Sequence, residues 1–189
     1  MVPEIEYPQP RLEDDLIALR PPRESDVEAV TAACRDPLVA RFTLVPSPYS
    51  EDDARGWIRD AERQRHEGTG LHFVSVDAGD DGVLGSVGIN AITWAHRVGQ
   101  IGYWAAPEAR RRGVATRSVR LLSRWALGPL GLARVEIRVD VENAASQQVA
   151  EAAGFTREGV LRSRAESKGR RWDEVMFSLL PADFEDAGK

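Results

Sequence analysis

Residues 101–116 constrain the fold more than any other stretch. Ile101-Gly102-Tyr103-Trp104-Ala105-Ala106 has the pattern of an apolar, aromatic strand, Pro107-Glu108-Ala109 turns the chain, and Arg110-Arg111-Arg112-Gly113 opens a helix whose apolar positions continue to Leu127. The first N–H groups of a helix have no intrahelical partner and its dipole favours an anion there, so a strand delivering basic residues to that point makes a place to hold phosphate. Arginines at a helix N-terminus oppose the dipole, which an ordinary helix avoids; a merely solvated helix start is the alternative. Gly113 lets the backbone approach a ligand closely. The spacing Arg110-x-x-Gly113-x-Ala115 is neither Gly-x-x-x-x-Gly-Lys-Ser/Thr nor Gly-x-Gly-x-x-Gly. Neither a P-loop nucleotide hydrolase nor a dinucleotide-binding dehydrogenase is indicated.

Around this stretch the chain alternates strands and helices. Leu16–Arg20 reads as a first strand stopped by Pro21-Pro22, and Ser25 or Asp26 caps a helix that ends at Asp36-Pro37. Leu38–Ser50 is expected to be irregular. Ser50, with Glu51, Asp52 and Asp53 in the first turn, starts a helix through His66. Leu71–Val76 and Val83–Ile92 form a hairpin about Gly79–Gly82, and Trp94–Arg97 turns into the strand at Val98–Trp104. Gly85 and Gly88 inside a strand point to a bulge or a close backbone approach. Beyond the helix at 113–127, Arg134–Asp140 alternates with period two, so strand, helix and strand should pair in parallel. Arg117, Arg120 and Arg124 are read as a solvated helix face. Asn143 caps a short helix ended by Gly154, and two strands about Lys168-Gly169 close the chain. The division expected is a flexible lead-in over 1–15, one domain over 16–181 and a frayed tail over 182–189.

Composition excludes several classes. A chain of 189 residues, 42% hydrophobic and 29% charged, can bury a sizeable core. No apolar run approaches the ~18–20 residues that a membrane-spanning helix needs. Net charge of −5 argues against nucleic acid as a partner, despite the arginines. The acidic, Pro-rich first ten residues lack a secretory pattern, and the one cysteine, Cys34, has no partner for an internal disulfide, so a cytoplasmic location is expected. Cys34 falls on a helical pattern as a core residue, and no His, Cys, Asp and Glu cluster has metal-ligand spacing, so no metal is expected.

Arg110-x-x-Gly113-x-Ala115 after Ile-Gly-Tyr-Trp, followed by Glu142-Asn143-Ala144-Ala145-Ser146 and Ala153-Gly154-Phe155, resembles the GNAT superfamily of acyl-CoA N-acyltransferases, and within it the RimJ/RimL-like branch. The likeness runs from Leu19 to Asp173. It implies an α/β (α+β) fold: a mixed, mostly antiparallel twisted sheet flanked by helices, whose splayed central strands bind coenzyme A. It implies acetyl-CoA as cosubstrate and an amine acceptor, either a protein N-terminus or a small molecule such as an amino-sugar antibiotic, and a homodimer as the expected assembly.

By the same resemblance, the backbone of Trp104, Ala105 and Ala106 and the side chain of Asn143 hold the pantetheine arm. Arg110, Arg111, Arg112, Gly113, Val114, Ala115 and Thr116 hold the pyrophosphate, and a backbone N–H after Trp104 meets the developing oxyanion. Ser146 stands where this branch places a serine near the sulfur, and is expected to protonate the departing thiolate. Two positions depart from the pattern. Gln100 replaces a glutamate common before Ile-Gly-Tyr, and Ala165 stands where the branch's second carboxylate falls; Glu166, the catalytic carboxylate assigned instead, is its neighbour and alternates to the other face of a strand. A chain without a strong base favours an α-amine, which is roughly one-seventh unprotonated at pH 7, over a lysine, free to well under a thousandth. A non-catalytic coenzyme A-binding module is the competing expectation.

Overall fold

The computed structural model describes residues 4–185. In chain order its elements are β1 (Leu12–Glu13), β2 (Ile17–Arg20), α1 (Val27–Cys34), α2 (Pro37–Phe42), α3 (Glu51–His66), β3 (Leu71–Asp77), β4 (Val83–Thr93), β5 (Val98–Ala105), α4 (Val114–Leu127), β6 (Arg134–Asp140), α5 (Ala144–Ala152), β7 (Thr156–Ser167), β8 (Arg170–Leu179) and α6 (Ala182–Glu185). The strands join in one sheet ordered β1-β2-β3-β4-β5-β6-β8-β7, antiparallel throughout except where β5 meets β6. This is the mixed, mostly antiparallel α/β architecture expected from the sequence.

Helices divide between the two faces. Val114, Val119, Leu122 and Ala126 of α4 pack with Leu19, Phe73, Ile101, Ile137 and Phe177 of the strands, and α5 joins this side through Ala150. In the buried stripe of α4 Ala115 is half-buried, while Val114 and Ser118 point inward. Ser118 tolerates the core because its hydroxyl donates to Val114 O at 2.9 Å and meets Ser75 Oγ at 2.7 Å. On the opposite face Val27, Val30, Cys34, Val39 and Tyr49 make a second core with Ala54, Trp57 and Trp104, joining α1, α2 and α3 over the β3–β5 half. Burial lifts the Cys34 thiol to about 11, so it stays protonated as a core residue.

The decisive departure from a regular sheet lies between β5 and β6. Val98, Gly99 and Gln100 pair in parallel with Arg134, Val135 and Glu136, and no pair follows. β5 runs on to Ala105 held only by β4, and β6 runs on to Asp140 held only by β8. The two strands therefore splay, and the unpaired edge of β5 over Ile101–Ala105 faces open space.

Three segments differ from expectation. The stretch expected as a flexible lead-in packs instead: Ile5 is buried and donates its N–H to Arg65 O, Tyr7 stands edge-on to Phe73, and Leu12–Glu13 pairs with β2. Burying Ile5 and Tyr7 supplies the apolar contact that Pro-rich composition obscures. Residues 38–42 are helical, because Asp36 Oδ1 accepts from the N–H groups of Leu38 and Val39 and Pro37 sits in the first turn. The Asp36-Pro37 pair thus both ends one helix and begins the next. Of the expected frayed tail, 182–185 forms one helical turn and 186–189 lies outside the described residues, as does 1–3 of the lead-in.

Candidate active site

The splay between β5 and β6 opens a cleft of about 1690 Å³ that crosses the sheet. That exceeds the ~300–1,000 Å³ typical for one small ligand, leaving room for a large ligand and a second reactant. One wall is the start of α4. Gly113 is its N-cap, with φ 80° and ψ 0°, and Arg111 two residues earlier also has φ 58°. No side chain caps α4. The N–H groups of Val114, Ala115 and Thr116 therefore sit at the cleft wall in the orientation that binds an anion.

The three arginines separate. Arg110 is held in an ion pair with Asp36 at 2.5 Å, and its guanidinium keeps the Asp36 carboxyl below the usual range. Since Asp36 also caps α2, this pair ties the α2 rim of the cleft to the turn before α4. Arg111 lines the cleft, whereas Arg112 points away, 3.9 Å from Asp77. Ala106 also leaves the set: it is buried, and its N–H donates to Leu84 O at 2.9 Å, which uses the donor expected for a ligand. Trp104 and Ala105 line the cleft.

At the far end, on the α4–α5 side, Tyr103 and Ser146 meet. The Tyr103 hydroxyl lies 2.7 Å from Ser146 Oγ and 3.0 Å from Ser146 O. Burial raises the Tyr103 phenol to about 12, so it carries a proton at neutral pH. Asn143 caps α5 by accepting the Ser146 N–H at 3.1 Å, which orients the serine. The cap uses the side-chain oxygen of Asn143, and its amide N–H groups remain available. Tyr103 was missed as a partner of Ser146 because the two are 43 residues apart; alternation placing it on the Ile101 face was the available signal.

The opposite face of the cleft is polar. Alternation that buries Val135, Ile137 and Val139 against α4 and α5 turns Arg134, Glu136, Arg138 and Asp140 to the other face, where Asp140 is itself buried and Glu174 stands opposite it on β8. Arg138 Nε is buried without a hydrogen-bond partner. Glu166 also lines the cleft but is ion-paired to Arg171 across the β7–β8 turn. Gln100 lies in the same lining. Beneath α3, His72 is buried beside Gln64, with Nε2 at 3.0 Å from Oε1, and desolvation lowers its pKa to about 4, leaving it neutral. His96 and Trp94 lie outside the cleft lining. The close approach signalled by Gly88 is with this histidine: a Cβ there would stand 2.7 Å from His72 Nδ1. Among the described residues no group of three His, Cys, Asp or Glu side chains could hold a metal ion, and no helix is long and apolar enough to cross a membrane.

Comparison with known proteins adds the following. Residues 17–156 match the model of the "Acetyltransferase (GNAT) domain" family. The uncharacterized N-acetyltransferase YoaA of Bacillus subtilis is 28% identical over 171 residues, covering 90% of this chain and 97% of the relative. The ribosomal-protein-serine acetyltransferase of Escherichia coli is 27% identical over 126 residues, covering 67% and 69%. RimJ of Mycobacterium smegmatis, solved in complex with a coenzyme A disulfide, superposes with a TM-score of 0.79 at 22% identity, covering 91% of this chain and 89% of that one.

Proposed function

The chain belongs to the GNAT acetyltransferase family, and we propose that it transfers an acetyl group from acetyl-CoA to a primary amine, with a protein N-terminal α-amine as the acceptor. The observation that carries this is the β5–β6 splay: it brings the uncapped α4 N-terminus and the Tyr103–Ser146 hydroxyl pair into one cleft. The fit to coenzyme A is good at the phosphate end, where Gly113 in the left-handed region removes a side chain and leaves donors exposed. In this proposal Arg111, Gly113, Val114, Ala115 and Thr116 bind the pyrophosphate, while Arg110 is held by Asp36 and Arg112 lies outside the cleft lining. The open edge of β5 at Trp104 and Ala105, together with the Asn143 amide, receives the pantetheine arm.

Acetyl-CoA supplies an activated thioester. The residues of the chain then orient it and manage protons. When Tyr103 donates to Ser146 Oγ, the serine proton is free to reach the departing sulfur, and the phenol proton follows. Glu166 is engaged by Arg171. A protein acceptor is supported by the Escherichia coli relative, which is named a ribosomal-protein-serine acetyltransferase. A cytoplasmic location and a homodimer belong to the same proposal, supported by the lone buried Cys34 thiol and by β7 as an outer strand.

Gly113→Val tests the placement of the cosubstrate. A β-branched residue is strained at φ 80° and obstructs the donors, so the acetyl-CoA dissociation constant should rise at least tenfold, about 1.4 kcal/mol, in calorimetry. Unchanged affinity in a folded variant would remove the phosphate site from α4.

A further inference from the structure

We propose that Glu174 is the base that receives the proton of the acceptor ammonium, in an acetyl transfer that rests on the function proposed above. The position lies on the face of the sheet away from Ser146. Val175, Phe177 and Leu179 of β8 point into the α4–α5 core, so Glu174 points out of the other side, opposite Asp140 of β6. The gap between β5 and β6 joins the two faces. A thioester arm entering from α4 is thus met by an amine from the Glu174 face, and the two proton transfers occur at separate groups.

What singles out Glu174 is that nothing else uses it. Six of the seven carboxylates lining the cleft are bonded: Asp52 to Arg55, Asp53 to Ser50, Asp60 to Arg63, Asp140 to Arg170, Glu142 to Arg41 and Arg170, and Glu166 to Arg171. Among the described residues, the Glu174 side chain has no hydrogen bond or ion pair, although the residue is half-buried. Partial desolvation raises its pKa; Arg138 on β6 and Arg164 on β7 oppose that rise, and Asp140 on β6 adds to it. Across the gap β5 presents Gln100, which has no charge. A carboxylate made more basic and left without a partner is poised to take a proton.

The protons balance as follows. Glu174 takes one proton from R–NH3+ and returns it to water. The freed nitrogen forms the C–N bond as the C–S bond breaks. Ser146 protonates the sulfur, and the second proton lost by nitrogen restores the hydroxyl pair through solvent.

The test is kcat/KM for a peptide α-amine against pH, in the wild-type chain and in Glu174→Gln. Without the base only the fraction of free amine reacts, about one-seventh at pH 7 and about one-sixtieth at pH 6. The variant should therefore fall about sevenfold below wild type at pH 7 and about sixtyfold at pH 6, and rejoin it by pH 9, with acetyl-CoA affinity unchanged. A variant whose profile parallels wild type, or one reduced equally at every pH, would overturn the role of Glu174 while leaving acetyl transfer standing. No turnover by the wild-type chain on peptide, polyamine and amino-sugar acceptors would overturn both.

Discussion

Replacing Asp26 with alanine is expected to destabilise the fold by about 3–5 kcal/mol, because it strands a buried charge. Arg20 and Asp26 are 5% and 2% exposed. Their bond is bidentate, with Nη1 to Oδ2 at 2.9 Å and Nη2 to Oδ1 at 2.8 Å, and Asp26 also accepts the Arg23 N–H at 2.7 Å. Removing the carboxylate leaves the guanidinium with Asp81 at the half-exposed edge and the Pro21 carbonyl. The pair joins the end of β2 to the start of α1, so its loss also loosens the helical wall over the cleft. Urea unfolding should show a lower midpoint with an unchanged slope. A loss under about 1 kcal/mol would mean that water reaches Arg20 and that the pair is not structural.

Ser146→Ala is expected to lower kcat by about 10²-fold while leaving acetyl-CoA affinity nearly unchanged, the range that general acid catalysis supplies. Tyr103→Phe should give a loss of similar size, and the double variant little more than either, because the two hydroxyls act as one donor. Steady-state kinetics with calorimetry on the same samples separates chemistry from binding. Full turnover by Ser146→Ala, with the chemical step rate-limiting, would return the serine to a helix residue bonded to Tyr103.

Much of the frame was legible in the sequence because the signals were local. Ser50 and Asp53 form the reciprocal cap their spacing suggests, the hairpins turn where Gly79–Gly82 and Lys168-Gly169 stand, and the β5–α4–β6 succession pairs in parallel. Asp36-Pro37 misled because one dipeptide can end a helix and cap the next. Ile5 and Tyr7 were hidden among prolines, since their partners Arg65 and Phe73 lie some sixty residues away. In the site, Gly113 and Asn143 could be placed from motif spacing. Tyr103 against Ser146 and Glu174 against Asp140 depend on strand register, which no local pattern specifies. The arginine triplet read as one basic cluster, but the tight turn sends Arg110 to Asp36 and Arg112 toward Asp77.

The most direct measurement of acetyl transfer is mass spectrometry of acceptors incubated with acetyl-CoA and the wild-type chain, with released coenzyme A measured in the same reaction. The expected result is one acetyl group on the α-amine of a peptide, formed in proportion to free coenzyme A and repeated over many turnovers. Tight acetyl-CoA binding with no acetylated product from peptides, polyamines or amino sugars would contradict catalysis, and would make this cleft the site of a coenzyme A-binding module.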